Sequence, residues 1–305
     1  MRLLVTGASG LLGLNLSLAA SRRGHAVTGL VHSRGLRNAP FEVRQVDLLD
    51  MDRTLDAIKA SEPEAIIHCA AVASINAAEK APDLSLRLNG AVPGELAGAA
   101  ACWKIPFLHI SSDAVFDGQQ GGYTETDPTH PLSIYARTKL TGEQAVLAAN
   151  PDALIARTVF YGWSLSGKRS LGEFFYNALR EGSPINGFED VFFCPLYVET
   201  LAETLLEMLA AELTGIYHVV GSESLSKFEF GQRIAHRFGL DPELISPIRG
   251  AGLDRGAPRS SNLTLSNEKL QKDLGHSLPN VDEGLDLFYQ RWQEGYPQAL
   301  QQMAV

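Results

Sequence analysis

The sequence is poor in cysteine and in positive charge. Its three cysteines, Cys69, Cys102 and Cys194, lie far apart and are odd in number, which excludes a disulfide framework and matches no metal-binding spacing. Acidic residues outnumber basic ones by 35 to 26, so the basic surface of a nucleic-acid binder is missing. We therefore expect reduced thiols, no metal, no nucleic-acid partner and a small-molecule ligand.

Long apolar runs are also missing. No segment reaches the roughly 20 apolar residues that span a bilayer, and a glycine-rich turn opens within seven residues of Met1, which leaves no room for a signal peptide. The expectation is a cytoplasmic protein without a membrane partner. The sequence leaves the oligomeric state open, with a homodimer among the options.

Apolar runs rich in valine and isoleucine alternate with longer amphipathic stretches in the first half of the chain. We predict strands over residues 2–7, 26–32, 41–47, 65–71, 105–111 and 153–158. The helices predicted between them cover residues 11–23, 53–60, 84–102 and 136–149. Such alternation is typical of a parallel sheet covered on both faces. The sequence therefore predicts an α/β fold of the Rossmann type, a doubly wound sheet that binds ligands at its carboxyl edge.

The pattern changes after Thr158, where glycines, aromatics and polar loops become frequent. We expect residues 1–158 to form a dinucleotide-binding domain, to which a helix at 198–211 and a strand at 215–220 return within segment 191–220. Residues 159–190 and 221–305 are expected to form a smaller, discontinuous α/β lobe that binds substrate.

The chain opens with "MRLLVTGASGLLG", a strand that runs into Gly7, Gly10 and Gly13. A strand, a glycine-rich turn and a helix aim backbone N–H groups at an anion, and glycines let the backbone approach a pyrophosphate. The spacing differs from G-x-G-x-x-G, and a purely structural turn is the alternative. The predicted cofactor contacts in this segment are Gly7, Ser9, Gly10, Leu11, Leu12 and Gly13.

The end of the second strand indicates which dinucleotide binds. His32, Ser33 and Arg34 follow that strand, and no carboxylate occurs before Glu42. Guanidinium groups suit a 2′-phosphate, whereas an NAD site places an acid here. We therefore expect NADPH as the cofactor, with NADH as the alternative. The loop, which also contains Arg37, could instead be a solvated basic loop that binds no cofactor. Asp47 ends the third strand and either binds the adenine amino group or caps the next helix.

Tyr135 and Lys139 lie four residues apart in "SIYARTKL", so both side chains share one helical face. An adjacent ammonium is expected to lower the pKa of the phenol, which makes the pair an acid or base. Just upstream, "HISSDAVFDG" ends a strand in Ser111, Ser112 and Asp113, where a serine hydroxyl could polarise a carbonyl. An ordinary surface helix is the alternative.

Several motifs together resemble the extended short-chain dehydrogenase/reductases: "TGASGLLG" (6–13), "HCAA" (68–71), "SSDAVFDG" (111–118), "YARTK" (135–139) and "RTVFYG" (157–162). Within that group, residues 69–89 and 259–275 resemble the dTDP-4-dehydrorhamnose reductase subfamily, which also includes the regulatory β subunit of methionine adenosyltransferase. The resemblance implies a catalytic triad of Ser112, Tyr135 and Lys139. Further cofactor contacts are implied at Leu48, Ala70, Ala71 and Asn89, and substrate contacts at Ser112, Asp113, Phe160 and Arg259.

The chain departs from the reductases at three positions: Ser112 replaces a threonine, Ala114 a tyrosine and Phe160 a tryptophan. The function expected from the resemblance is the NADPH-dependent reduction of a nucleotide-activated keto-sugar, with Tyr135 as proton donor. One alternative is a non-catalytic NADP-binding regulatory subunit, and another is a sugar-nucleotide epimerase or dehydratase. Loop cations that could face a substrate diphosphate, or be merely solvated, are Lys168, Arg169, Arg249 and Arg255.

Overall fold

The structure is a computed structural model that describes residues 1–250 and 257–305. The strands in these ranges are β1 Arg2–Thr6, β2 Ala26–Val31, β3 Glu42–Gln45, β4 Ala65–His68, β5 Phe107–Ser112, β6 Leu154–Thr158, β7 Phe160–Tyr161, β8 Ile185–Phe188, β9 Phe192–Phe193, β10 Leu196–Tyr197, β11 Gly215–His218, β12 Leu225–Ser226, β13 Ile245–Ile248 and β14 Asn262–Leu263.

The helices in the same ranges are α1 Leu11–Arg22, α2 Met51–Lys59, α3 Ile75–Lys80, α4 Pro82–Ser85, α5 Val92–Trp103, α6 Ile134–Ala149, α7 Leu171–Arg180, α8 Val198–Ala210, α9 Lys227–Phe238, α10 Glu268–Leu274, α11 Val281–Gln293 and α12 Tyr296–Gln302. A π-helical turn covers Leu86–Ala91, and 3₁₀ turns cover Asp113–Val115 and Pro242–Leu244. None of these helices combines the length and apolarity needed to cross a membrane.

Seven parallel strands form the central sheet in the order β11-β6-β5-β4-β1-β2-β3. Every residue of β4 and β5 is buried, because helices cover both faces of the sheet. One apolar core lies on the side where α1 packs against α8, and a second lies on the side where α5 packs against α6. This is the Rossmann-type α/β fold that the sequence predicts. The six strands predicted in its first half are confirmed, each shorter than predicted, and β5 ends one residue later than predicted.

The helix predicted over 84–102 is confirmed as a continuous helical stretch over 82–103, but not as one regular α-helix. A π-helical turn separates α4 from α5, and Pro93 lies in the first turn of α5. Proline has no N–H to donate to the carbonyl of Asn89 four residues earlier, so the regular helical ladder is interrupted there. That interruption places Asn89 beside the site described below.

Smaller strand pairs follow the main sheet: β7 with β10, β8 with β13, and β9 between β12 and β14. The segment from Arg259 to Leu265 runs along residues 116–123, where the Tyr123 N–H donates to the Thr264 carbonyl at 3.0 Å. These contacts bring late residues of the chain against the carboxyl end of β5. The division of the chain into a cofactor domain and a substrate lobe stays a prediction.

Candidate active site

The backbone of the glycine turn is packed so closely that there is no room for a side chain at Gly7 or Gly13. Gly7 has φ +67°, and a Cβ there would lie 2.8 Å from the backbone of Ala70. A Cβ on Gly13 would lie 2.3 Å from the Gly7 carbonyl oxygen, and the Gly10 N–H donates to that same oxygen at 2.8 Å. Side chains at positions 7 and 13 would therefore push β1, α1 and the segment after β4 apart.

The amino end of α1 carries no side-chain cap at Gly10 and no acidic residue in its first turn. Its N–H groups and positive dipole end are therefore available to an anion. Ser9 and Leu11 are half-buried in this turn, whereas the Leu12 side chain packs into the core, so only the backbone of Leu12 could contact a ligand.

The loop after β2 carries two exposed arginines, Arg34 and Arg37. His32, Ser33 and Arg34 are exposed. Arg37 instead donates through its N–H and its Nε to the carbonyls of Met303 and Gln302, at 2.9 and 3.0 Å. Arg37 therefore fastens this loop to the end of α12, whereas Arg34 has no hydrogen bond within the described residues and is the better placed of the two to contact a ligand.

The charge of Arg34 acts on Arg169, in the loop before α7. Burial and the positive charge of Arg34 both lower the pKa of Arg169, against the opposing charge of Glu173. The loop that bears Arg169 is fixed, because the buried Glu173 carboxylate accepts hydrogen bonds from the N–H groups of Ser164, Arg169 and Ser170. Two positive charges that act on one another in this way would both favour a nearby anion.

Asp47 is exposed at the carboxyl end of the sheet. Its Oδ1 accepts from the Leu49 N–H at 3.0 Å, and its Oδ2 lies 3.9 Å from His32 Nε2. The cap of α2 is Asp50, which accepts from the Arg53 N–H, so Asp47 is not that cap. Leu48 beside it is buried in the second core.

One face of α6 carries Tyr135, Lys139 and Glu143 toward β5 at four-residue intervals. Lys139 is 2% exposed, and its Nζ donates to the Ile110 carbonyl at 2.6 Å and lies 3.3 Å from His109 Nε2. Glu143 forms a buried bidentate ion pair with Arg157 of β6 at 2.8 and 3.0 Å. The pair fixes α6 on the sheet at the level of the tyrosine and the lysine.

The Ser112 hydroxyl accepts a hydrogen bond from the Ala114 N–H at 3.2 Å and donates to Asp113 Oδ1 at 2.9 Å. Burial raises the pKa of Asp113 to about 6, against the lowering effects of the Ser112 hydroxyl and the Lys227 charge. Burial also raises the pKa of Tyr135 to about 12, while a hydrogen bond with Ser112 acts to lower it. Ser112 therefore lies between the buried carboxyl of Asp113 and the half-buried phenol of Tyr135.

The expectation that Lys139 lowers the pKa of Tyr135 is wrong in this structure. The Lys139 ammonium points inward to Ile110 and His109 rather than toward the phenol ring. Burial then dominates, because transfer of a phenolate out of water is costly. Tyr135 therefore remains a protonated phenol near neutral pH.

Asn89 connects the cofactor side of the site to α6. Its side chain accepts from the Val72 N–H at 2.8 Å and donates to the Val72 carbonyl and to Thr138 Oγ1, at 3.2 and 3.1 Å. Ala70, two residues before Val72, lies against Gly7, and Ala71 is exposed. Asn89 is completely buried, so it positions the segment that a ligand would touch.

Arg259 and Phe160 lie at the carboxyl edge of the sheet. The Arg259 Nη2 donates to Asn76 Oδ1 of α3 at 3.1 Å, and its side chain is exposed. Phe160 is half-buried in β7, two residues after Thr158, which pairs in register with Ser112. Of the other loop cations, Arg249 pairs with Glu189 at 2.8 Å, Lys168 is exposed, and Arg255 lies outside the described residues.

Two residues near the site were not predicted. Lys227 begins α9 after the capping Ser226, and its charge reaches Asp113. His109 contacts Lys139 from inside the sheet. A histidine within the apolar strand "IPFLHIS" was the available signal for His109, because a buried polar ring needs a partner. Nothing in the local sequence around Lys227 places it near residue 113.

The arrangement that joins the glycine turn to the tyrosine–lysine helix through Ala70 and Asn89 is that of an extended short-chain dehydrogenase/reductase, a class of NAD(P)-dependent oxidoreductases. Sequence comparison agrees, since residues 1–294 match the family described as RmlD substrate binding domain. The chain belongs to this family, whose curated relatives include dTDP-4-dehydrorhamnose reductases.

Three similar proteins illustrate the range of the family. A probable low-salt glycan biosynthesis reductase of Haloferax volcanii is 36% identical over 92% of this chain and 95% of its own. The methionine adenosyltransferase 2 subunit beta of Rattus norvegicus is 32% identical over 96% of this chain and 90% of its own. The crystal structure of dTDP-4-dehydrorhamnose reductase from Bacillus anthracis in complex with NADP superimposes with a TM-score of 0.84 and 25% identity, over 95% and 99% of the two chains.

Proposed function

We propose that the chain is an NADPH-dependent reductase of a nucleotide-activated keto-sugar of the dTDP-4-dehydrorhamnose type. The observation that carries the proposal is the link between the glycine turn and α6. Gly7 lies against Ala70, and Asn89 ties Val72 to Thr138, which lies between Tyr135 and Lys139 in sequence. A dinucleotide seated on the turn would therefore extend toward the tyrosine and the lysine.

The glycine turn fits a dinucleotide pyrophosphate, because its crowded backbone excludes side chains and the amino end of α1 has no cap. Ser9, Gly10 and Leu11 would face the pyrophosphate. Arg34, with Arg169 nearby, would hold the 2′-phosphate, and Asp47 would face the adenine. Ala70 and Ala71 would line the middle of the site, and the buried Asn89 would position that segment through its hydrogen bonds with Val72. When bound, the cofactor would supply a hydride to the carbonyl carbon of the substrate.

Tyr135 is proposed as the proton donor to the carbonyl oxygen. Because its pKa is raised to about 12 by burial, the phenol holds its proton throughout the neutral range and can release it when an alkoxide develops. Ser112 would polarise the same oxygen through its hydroxyl, and Lys139 would hold the cofactor ribose. Preorganised donors of this kind stabilise charge that appears only in the transition state.

Asp113, Phe160 and Arg259 are proposed to contact the sugar nucleotide. The Arg259 side chain is exposed and donates a hydrogen bond to Asn76 of α3. An exposed guanidinium group at this position could bind the diphosphate of the substrate. Asp113 is buried next to Ser112, with a pKa raised to about 6. It would therefore offer the sugar a carboxyl that is partly protonated near neutral pH.

A second candidate is a regulatory subunit that binds the dinucleotide without turnover. The observation that favours it is the 32% identity to methionine adenosyltransferase 2 subunit beta over 96% of this chain. The complete set of Ser112, Tyr135 and Lys139 favours the enzyme.

The deciding experiment measures NADPH oxidation with a panel of nucleotide-activated 4-keto sugars. We expect turnover with at least one of them, and Tyr135→Phe is expected to lower that turnover by at least about 10²-fold while leaving NADPH affinity intact. Tyr289→Phe is the matched control, because that ring stacks on Trp292 in α11. NADPH binding without consumption of any panel member would reject the reductase and favour the regulatory subunit.

A further inference from the structure

A pair of stacked, buried histidines on the central sheet lies next to the ammonium group of Lys139. His109 Nε2 lies 3.3 Å from Lys139 Nζ. The His68 ring of the neighbouring strand stacks on the His109 ring, with centroids 5.5 Å apart and planes 19° apart. His68 Nδ1 in turn lies 2.8 Å from Thr6 Oγ1, directly before the glycine turn. Both rings are at most 1% exposed.

Both imidazoles are neutral near physiological pH. Burial, with a further contribution from the Lys139 charge, lowers the pKa of His68 to about 3 and that of His109 well below its usual value. A lysine ammonium can only donate hydrogen bonds, whereas a neutral imidazole offers one accepting nitrogen. The Lys139 contact therefore assigns Nε2 of His109 as the acceptor and places its proton on Nδ1.

The other charged and titratable groups around Lys139 are Glu143 of α6, Cys69 after β4 and Arg157 of β6. Glu143 of α6 and Cys69 after β4 act to raise the pKa of Lys139, while burial lowers it to about 8. Glu143 is already bonded to Arg157 of β6 and to the Ser111 hydroxyl. Its carboxylate therefore acts on the ammonium from a distance, and the direct acceptors are the Ile110 carbonyl and His109.

We propose that His109 is a positioning residue that keeps Lys139 charged and in place, by accepting its hydrogen bond without adding a negative charge. An apolar residue at 109 would leave the buried ammonium with the Ile110 carbonyl, and the loss of an acceptor favours the neutral amine. A carboxylate would form an ion pair and draw the ammonium away from any ribose. The expected effect on turnover rests on the proposed function, whereas the expected charge of Lys139 does not.

The test compares His109→Phe, which keeps a ring for stacking on His68 but has no acceptor, with His109→Gln, whose amide oxygen can accept. Titration of ¹⁵N-labelled lysine by NMR, with the Lys139 signal identified by its loss in Lys139→Met, reports the charge directly. We expect His109→Phe to lower the titration midpoint of Lys139 by about one pH unit and His109→Gln to recover at least half of that shift.

Turnover gives a second readout. The ammonium is the required form and is lost as pH rises through its pKa, so a lower pKa moves the alkaline decline of turnover to lower pH. His109→Phe should show this displacement, and His109→Gln should reduce it. The matched control is His218→Leu, which removes another completely buried histidine, on β11, and is expected to leave the Lys139 midpoint unchanged.

An unchanged Lys139 midpoint in folded His109→Phe would overturn the proposal, as would an equal shift in His218→Leu or the absence of any recovery in His109→Gln. If His109→Phe does not fold, His109→Leu serves as the apolar variant with the same criteria. If no sugar nucleotide is reduced by the unmodified protein, the proposed function fails, but the NMR titration still decides the role of His109.

Discussion

Gly13 and Gly7 lie so close that a Cβ on Gly13 would be 2.3 Å from the carbonyl oxygen of Gly7. That separation fixes the distance between the first strand and the first helix, and with it the shape of the turn. The neighbouring atom belongs to backbone, so it cannot move away as the end of a flexible side chain could.

Gly13→Ala is therefore expected to destabilise the protein by roughly 1–3 kcal/mol, as overpacking does, and to weaken dinucleotide binding. Urea denaturation and calorimetric titration with NADPH measure the two effects. Gly98→Ala in α5 is the control, because its Cβ would meet Ala149 at an ordinary 3.6 Å. It should stabilise the helix by up to about 1 kcal/mol. Equal stability of the two variants would contradict the prediction.

Arg34→Ala should weaken NADPH binding by roughly 1.5–3 kcal/mol, the usual contribution of a charge-assisted hydrogen bond, and leave NADH binding nearly unchanged. Arg169→Ala should act in the same direction, because the charges of Arg169 and Arg34 act on one another. Calorimetry with both cofactors gives the affinities. Arg53→Ala, an exposed arginine paired with Asp50 at 3.3 Å, is the control. Equal affinity of the unmodified protein for NADPH and NADH would end this assignment.

Arg259→Ala should raise KM for the sugar nucleotide about tenfold or more, since a lost charged hydrogen bond costs roughly 1.5–3 kcal/mol. Turnover and NADPH affinity should change little, because the contact would act equally on bound substrate and transition state. Steady-state kinetics test this. Arg249→Ala is the matched control, as its guanidinium pairs with Glu189 on the surface. An unchanged KM in Arg259→Ala would exclude Arg259 from the substrate site.

The raised pKa of Asp113 predicts that the free energy of unfolding depends on pH. Its pKa rises from 3.8 to about 6 on folding, so the folded protein binds the proton more tightly than the unfolded chain. Stability then falls as pH rises between about 4 and 6, and the penalty, roughly 3 kcal/mol from about two pKa units, is fully present above that window.

Asp113→Asn removes this carboxyl and should stabilise the protein at pH 7, with the gain vanishing below about pH 4. Urea denaturation at the two pH values measures it. A gain of equal size at both would show that burial of the carboxylate is not its source.

Local sequence determined the fold and the two elements to which the proposed function assigns the chemistry. The alternation of apolar strands and helices predicted the parallel sheet, and the glycine turn and the Tyr135–Lys139 spacing were visible because they are set by neighbours along the chain. Such patterns depend on backbone geometry and helical periodicity, which a sequence displays directly.

Only the tertiary structure decided what those side chains contact. The direction of the Tyr135 pKa could not be inferred from the spacing, because it depends on Lys139 turning inward to the Ile110 carbonyl and His109, about 30 residues away in sequence. The contacts between Arg259 and Asn76, and between Asn89 and Thr138, likewise join residues 183 and 49 positions apart. Hydrogen bonds and burial act over a few ångströms of space, and the packing of the sheet against its helices sets those distances.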